Sequence, residues 1–109
     1  MASLKKYIST KKIDLKKVEE YASSFKNYFF PADSKLLYEG QKPIAAILII
    51  NGAVKVIKDK KTKVRFCSNT LILFEEFANQ EELHFDIEVS TSTTVCWIDK
   101  ENINELLSA

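Results

Sequence analysis

The start of the chain is polar and lysine-rich, and it leads into a helical pattern. Apolar residues recur at the helical spacing, at Leu15, Val18, Ala22 and Phe25. Charged residues occupy the other face of this segment, and Asp14 stands where a helix N-cap is expected. The pattern therefore predicts an amphipathic helix over residues 14–25, within an N-terminal helical lead-in that covers residues 1–26.

From residue 27 onward the periodicity changes from helical to alternating. Short apolar runs end at turn-forming residues, at Pro31, at Gly40 and at Asn51-Gly52. Asn-Gly after an apolar run is the strongest short hairpin signal in the chain. Residues 53–58 and 63–67 alternate apolar and charged positions, which is typical of a sheet with one solvated face. We therefore predict an antiparallel meander with a hairpin at Gly52.

Residues 71–83 show helical spacing again. Leu71, Phe74 and Phe77 share one face of a helix drawn through this segment. The polar face is supplied by glutamates, at Glu75, Glu76, Glu81 and Glu82. Neighbouring glutamates on a helix cannot all face one point, so we expect a solvated face rather than a metal or acid–base site.

The last part of the chain predicts two strands and a helix. Residues 85–89 alternate cleanly, and residues 93–98 are rich in β-formers. Asp99 is placed to cap a closing helix with the buried stripe Ile103, Leu106 and Leu107. The fold class is therefore mainly β: an antiparallel β-roll or jelly roll of about eight strands, with flanking N- and C-terminal helices. Residues 27–109 form the roll and its closing helix.

Two stretches of the predicted roll resemble a known family. Residues 34–41 and 47–56 resemble the first half of a cyclic-nucleotide-binding domain of the catabolite-activator type. The chain has two glycines, Gly40 and Gly52, and both fall on turns where that family uses glycine. Residues 87–98 and the helix after them resemble the end of the same roll. The resemblance spans residues 28–107 and implies a regulatory module that acts without catalysis.

The chain departs from this family in the phosphate-binding cassette. The resemblance places the cassette's glycine and glutamate near Ile72 and Leu73, and its arginine and small neighbour near Leu83 and His84. None of the four retains the family's residue, and the single arginine of the chain is Arg65, on the preceding strand. We expect Leu73 and Leu83 to be buried, filling the pocket. Cyclic AMP and cyclic GMP are therefore expected not to bind.

Two functional hypotheses remain open. The first is a regulatory or scaffold module that has lost nucleotide binding and acts through contacts with a protein partner, or with a second copy through its terminal helices. The second is a small-molecule sensor with an altered pocket. An enzyme is not expected, because the single histidine, His84, has no nucleophile or acid constellation around it.

Composition and charge narrow the picture further. The 109 residues carry a formal net charge of +1, which gives no overall attraction to nucleic acid or an anionic membrane. Cys67 and Cys96 lack metal-ligand spacing and are expected to be reduced, buried thiols. The start has no apolar leader, so we expect a cytoplasmic protein. No cofactor or metal is expected.

Basic residues concentrate on one predicted hairpin, at Lys55, Lys58, Lys60, Lys61, Lys63 and Arg65. Alternating lysines share a face of a two-stranded ribbon, so this surface could dock an acidic partner or nucleic acid. Without interleaved aromatic residues on that face, base stacking is not expected. The alternative is a solvated ribbon whose lysines protect a sheet edge from pairing.

Overall fold

A computed structural model describes residues 7–108 as nine strands and three helices. The strands are β1 (Thr10–Lys12), β2 (Asn27–Phe30), β3 (Ser34–Leu37), β4 (Ala46–Asn51), β5 (Ala53–Lys58), β6 (Lys61–Cys67), β7 (Thr70–Ile72), β8 (Asp86–Val89) and β9 (Thr93–Ile98). The helices are α1 (Leu15–Ser24), α2 (Phe74–Ala78) and α3 (Lys100–Ser108). The mainly β class with flanking helices is confirmed. The strand β1, within the lead-in segment, was not predicted.

The strands form two antiparallel sheets. One sheet has five strands in the order β1-β7-β4-β9-β2, and the other has four in the order β3-β8-β5-β6. The sheets face each other across an inner core of fully or nearly fully buried residues: Ile8, Leu37, Ile47, Ile49, Val54, Val56, Ile72, Leu73, Leu83, Ile87, Val89 and Val95. Burial of this apolar surface supplies the main driving force for the roll.

The five-stranded sheet is buried on its second face as well. Helices α1 and α3 cover that face and complete an outer core: Ile13, Val18, Tyr21, Ala46, Leu48, Leu71, Cys96, Ile98, Ile103 and Leu106. The central strand β4 contributes Ile47 and Ile49 to the inner core and Leu48 to the outer core. This double burial explains why its sequence is a continuous apolar run instead of an alternating one.

The outer face of the four-stranded sheet is solvated and lined by ion pairs. Lys55 lies 3.0 Å from Glu88, Lys58 lies 2.9 Å from Glu39, and a further pair joins Lys35 to Asp86 at 2.7 Å. Val54 and Val56 alternate with Lys55 on β5 and point into the inner core. The predicted alternation with one wet face is thus correct for this sheet.

Gly52 does not form the predicted hairpin. It stands at a corner, because β4 belongs to the five-stranded sheet and β5 to the four-stranded sheet. The backbone at Gly52 has φ +98° and lies against Thr93 of β9. The buried Thr93 hydroxyl accepts from the Ala53 N–H at 3.1 Å and donates to the Ala53 carbonyl at 3.2 Å. Thr93 of β9, the strand next to β4 in the same sheet, therefore holds the corner in place.

The hairpin in this region joins β5 to β6 instead. Its two turn residues, Asp59 and Lys60, have φ values of 53° and 64°. Positive φ at both central positions is the geometry of the type I′ turn, whose twist matches that of antiparallel strands. The turn predicted at residues 59–61 is confirmed at residues 59–60, whereas Lys61 begins β6. The basic residues of β5 and β6 lie on one ribbon.

The two long helices are joined through Tyr21. Its hydroxyl donates to the carboxylate of Glu105 on α3. Burial and this hydrogen bond raise the pKa of Tyr21 well above its ordinary value of 10.0. Since the folded pKa exceeds the unfolded one, the stabilisation is complete below about pH 10 and is lost as the pH rises above it.

We expect Tyr21→Phe to lower the free energy of unfolding at neutral pH by about 1–2 kcal/mol, because a charge-assisted hydrogen bond is removed. The variant should also lose less stability than wild type when the pH is raised above about 10. Urea unfolding across this pH range measures both effects. Tyr38→Phe, whose parent ring is 54% exposed, is the matched control and should keep the wild-type profile. Parallel profiles for wild type and Tyr21→Phe would contradict the assignment.

Candidate functional site

The sequence resemblance assigns the phosphate-binding cassette to the segment between the end of β6 and the start of β8. It contains the short strand β7, the five-residue helix α2 and the loop that leads to β8. The helical spacing seen in residues 71–83 corresponds to a helix only over Phe74–Ala78. Leu71 and Ile72 are strand residues, because β7 pairs with both β1 and β4 in the five-stranded sheet.

Leu73 is the residue that turns the chain from β7 into α2. Its φ is 65°, in the left-handed region that favours glycine. The next residue, Phe74, begins the helix. A leucine tolerates this conformation only where packing holds it there.

Leu73 and Leu83 are both buried, as the sequence predicts. Leu73 is 0% exposed and Leu83 is 3% exposed, and both belong to the inner core between the sheets. The backbone of Leu83 is also fixed, since its carbonyl accepts from the Gly40 N–H at 2.8 Å and its N–H donates to Gln41 at 2.9 Å. Ile72 is likewise 0% exposed, whereas His84 is exposed. Of the four positions that the resemblance assigns to the cassette, His84 alone is exposed.

The N-terminal segment packs into the same inner core and pairs with Leu73, whose N–H donates to the Ser9 carbonyl at 3.0 Å. Ile8 is 3% exposed and belongs to the inner core together with Leu73 and Leu83. Tyr7 packs edge-on against Phe85, with ring centroids 5.2 Å apart. This contribution was not predicted, because residues 7–9 carry no periodic signal of their own. The inner core here combines side chains from the N-terminal segment, from the turn at Leu73 and from the loop before β8.

Glu76 is buried, which corrects the predicted solvated face. It is 4% exposed, and its carboxylate accepts from the Ser9 N–H at 3.0 Å and from the Ser9 hydroxyl at 2.6 Å. The Ser9 hydroxyl in turn accepts from the Glu75 N–H at 3.0 Å. These bonds fasten the N-terminal segment to the start of α2. Glu81 and Glu82 remain exposed, in line with the prediction for those two.

No ligand-sized cavity is present within residues 7–108. Nor does this part of the chain bring three His, Cys, Asp or Glu side chains together in a way that could hold a metal ion. None of its helices is long and apolar enough to cross a membrane. The cysteines differ from each other: Cys96 is buried, which raises the pKa of its thiol, whereas Cys67 is exposed, contrary to prediction.

The six predicted partner-surface residues divide into two groups. Lys55 contacts Glu88 and Asp33, and Lys58 contacts Glu39. The hydrogen bonds in these pairs raise the pKa of each lysine. Arg65 donates to the uncharged Ser90 hydroxyl at 3.2 Å. The remaining three are exposed at the tip and along β6, with no ion pair to any described residue: Lys60, Lys61 and Lys63.

The terminal helices, through which pairing with a second copy was considered, place Val18, Tyr21, Ile103 and Leu106 in the outer core. Ile103 and Leu106 of α3 are 6% and 0% exposed, so docking onto the roll uses them. The exposed large apolar residues near this face lie on α1, just after it and on β2, at Leu15, Phe25 and Phe29. The closing helix therefore contributes little apolar surface to a second copy.

Solved structures share this architecture of two packed antiparallel sheets with helices at both ends. The catabolite activator protein of Thermus thermophilus matches with a TM-score of 0.64 and 16% identity, over 85% of this chain and 46% of that chain. A cyclic nucleotide-binding domain from Methylobacillus flagellatus matches with a TM-score of 0.62 and 20% identity, over 93% of this chain and 71% of that chain. An EAL enzyme matches with a TM-score of 0.61 and 17% identity, over 79% and 81%.

These likenesses define the chain as a β-roll of the catabolite-activator type. It has the fold of cyclic-nucleotide-binding domains, which confirms the resemblance seen in the sequence. The chain spans 46% of the length of the catabolite activator protein. No sequence family model matches it, and no curated protein does.

The strained backbone at Leu73 reverses the usual order of stability between a glycine and an alanine variant. Leu73→Ala and Leu73→Gly should both lower the free energy of unfolding by about 2–5 kcal/mol, because each empties part of the core. Leu73→Gly should nevertheless be the more stable of the two by about 1 kcal/mol, since glycine adopts positive φ without strain. Urea unfolding of both variants measures the difference.

Leu83 provides the matched control for this comparison. It is equally buried but is not among the residues with positive φ. Leu83→Gly should therefore be less stable than Leu83→Ala, which is the ordinary order. If Leu73→Gly were also less stable than Leu73→Ala, the backbone at Leu73 would not be strained.

Proposed function

We propose that this protein is a non-enzymatic regulatory or scaffold module of the cyclic-nucleotide-binding-like fold that has lost nucleotide binding and acts through protein–protein contacts. The observation that carries the proposal is the closed cassette region, where Leu73, Leu83 and Ile8 occupy one inner core. A regulatory role is supported by fold neighbours such as the catabolite activator protein. We further propose that the module works in the cytoplasm without a cofactor or metal.

Charge supports the same conclusion. A cyclic phosphate requires a counter-charge, and losing a charge-assisted pair lowers affinity by orders of magnitude. The single arginine, Arg65, is exposed on the outer face of the other sheet, where it donates to the Ser90 hydroxyl. Meanwhile the first turn of α2 carries two carboxylates, Glu75 and Glu76, where an anion would otherwise benefit from the helix start. An anionic ligand would meet repulsion at this helix.

Catalysis is not part of the proposal, although one fold neighbour is an EAL enzyme. A general acid–base or nucleophilic mechanism needs side chains within hydrogen-bonding reach of one another in a cleft. His84 is exposed beside Phe85, and no hydrogen bond or ion pair joins it to a nucleophile or a carboxylate among the described residues. The altered-pocket sensor is the alternative, and it requires the inner core to open. Self-association stays a prediction that α3 supports only weakly.

Titration calorimetry with cyclic AMP, cyclic GMP and cyclic dinucleotides tests the proposal. We expect no saturable heat from cyclic AMP or cyclic GMP with a dissociation constant of about 10 μM or tighter. Such binding by either would overturn the loss of nucleotide binding. Comparable binding of a cyclic dinucleotide alone would favour the sensor with an altered pocket.

A further inference from the structure

Strand β6 has the longest free edge of the roll. Four strands of the described chain lie at sheet edges: β1, β2, β3 and β6. The first three contain three or four residues, whereas β6 contains seven. Within residues 7–108, β6 pairs with β5 along one side only. Its other side therefore presents backbone N–H and C=O groups that a further strand could use.

Exposed basic side chains lie along this edge. Val64 and Phe66 pack against the inner core, whereas Lys61, Lys63 and Arg65 are exposed. Lys60 adds a fourth positive charge at the turn, and β6 itself contains no acidic residue. Lys55, by contrast, is neutralised by Glu88 and Asp33 on its own sheet face. Asp59 offsets Lys60 within the turn, so the net positive charge of this edge comes from the strand residues Lys61, Lys63 and Arg65.

The positive charge along β6 favours an acidic strand over a second copy of β6 as the strand that pairs with this edge. A second copy of β6 would bring like charges opposite one another, which destabilises a cross-strand pair, whereas a strand with acidic residues would place opposite charges there. The ladder to β5 is regular over residues 64–67 and shifts register near Lys63. A partner strand could therefore pair along residues 64–67, next to Lys61 and Lys63. Without exposed aromatic residues, the edge offers no base-stacking platform to nucleic acid.

We propose that the free edge of β6 binds an extended acidic segment of a partner protein, which adds to the four-stranded sheet as a further strand. The backbone supplies the pairing, and Lys61, Lys63 and Arg65 select for negative charge. This inference rests on the proposed function, since it names the contact through which the module would act. It accounts for the exposed basic residues that no acidic partner within the described chain neutralises.

Fluorescence polarisation with three labelled nine-residue peptides tests the proposal. The first alternates Glu and Val, the second has the same sequence with alternate backbone amides N-methylated, and the third has Lys in place of Glu. The protein variants are Lys61→Glu/Lys63→Glu and the control Lys42→Glu/Lys100→Glu, which changes the net charge equally at exposed residues outside the edge. We expect N-methylation, Lys substitution and the edge variant each to weaken binding by about tenfold or more. The control should match wild type.

Two outcomes would overturn the edge-pairing proposal. Equal binding of the N-methylated and unmethylated acidic peptides would show attraction by charge alone. No binding of the acidic peptide at about 1 mM, together with binding of a labelled oligothymidylate that the edge variant abolishes, would indicate nucleic acid instead. Both outcomes are independent of the calorimetric titration. A negative result with the peptides would not affect the proposed loss of nucleotide binding. Nucleotide binding in the calorimeter would not affect the result obtained at the β6 edge.

Discussion

Gly52→Ala is expected to lower the free energy of unfolding by about 3–5 kcal/mol, a large part of the stability of a domain of this size. A Cβ at this position would lie 2.4 Å from the Thr93 hydroxyl oxygen and 2.7 Å from the Thr93 Cα. The second contact is with backbone of a central strand, which cannot rotate away. Alanine would also be held at φ +98°. Urea unfolding followed by circular dichroism measures the loss.

Gly40→Ala is the matched control for this prediction. Gly40 also has positive φ, +94°, but nothing lies within 4 Å of the position that an added Cβ would occupy. Its substitution should therefore show the backbone strain alone, about 1–2 kcal/mol. If the two alanine variants were equally stable, the close approach of Gly52 to Thr93 would be wrong.

Leu83→Ala is expected to cost about 3–4 kcal/mol, because it removes a buried side chain from the inner core and leaves a cavity. Its backbone hydrogen bonds to Gly40 and Gln41 limit how far the loop can move to refill the space. Ile44→Ala is the control, since Ile44 is 84% exposed and should change stability by about 0.5 kcal/mol or less. A loss at Leu83 no larger than that at Ile44 would mean that Leu83 does not fill the cassette region.

Much of the fold could be predicted from local patterns. The amphipathic stretch after Asp14 became α1, with the Asp14 side chain accepting from the Lys16 N–H as an N-cap. The wrongly predicted hairpin at Gly52 shows the limit of such patterns, because a glycine turn serves equally for a hairpin and for a corner between sheets. The choice depends on Thr93, which packs there from β9. Strand β1 was missed because three polar residues carry no alternation.

The candidate site was predictable only in part. Leu73 and Leu83 are apolar at positions that the resemblance assigns to the cassette, and this predicted their burial. The burial of Glu76 could not be predicted, because its partner Ser9 lies 67 residues away in the chain and only the folded sheet brings them together. The division of the basic hairpin likewise depends on Glu39 and Glu88, which reach Lys58 and Lys55 from other parts of the chain.

The most direct test of the closed cassette region follows the methyl NMR signals of Leu73 and Leu83 while cyclic AMP, and then cyclic GMP, is added to about 1 mM. The exposed Ile44 methyl signals report non-specific effects in the same spectra. We expect both leucine signals to stay in place, because both side chains are packed in the inner core and residues 7–108 enclose no ligand-sized cavity. Saturable shifts at Leu73 and Leu83, without shifts at Ile44, would contradict the loss of nucleotide binding.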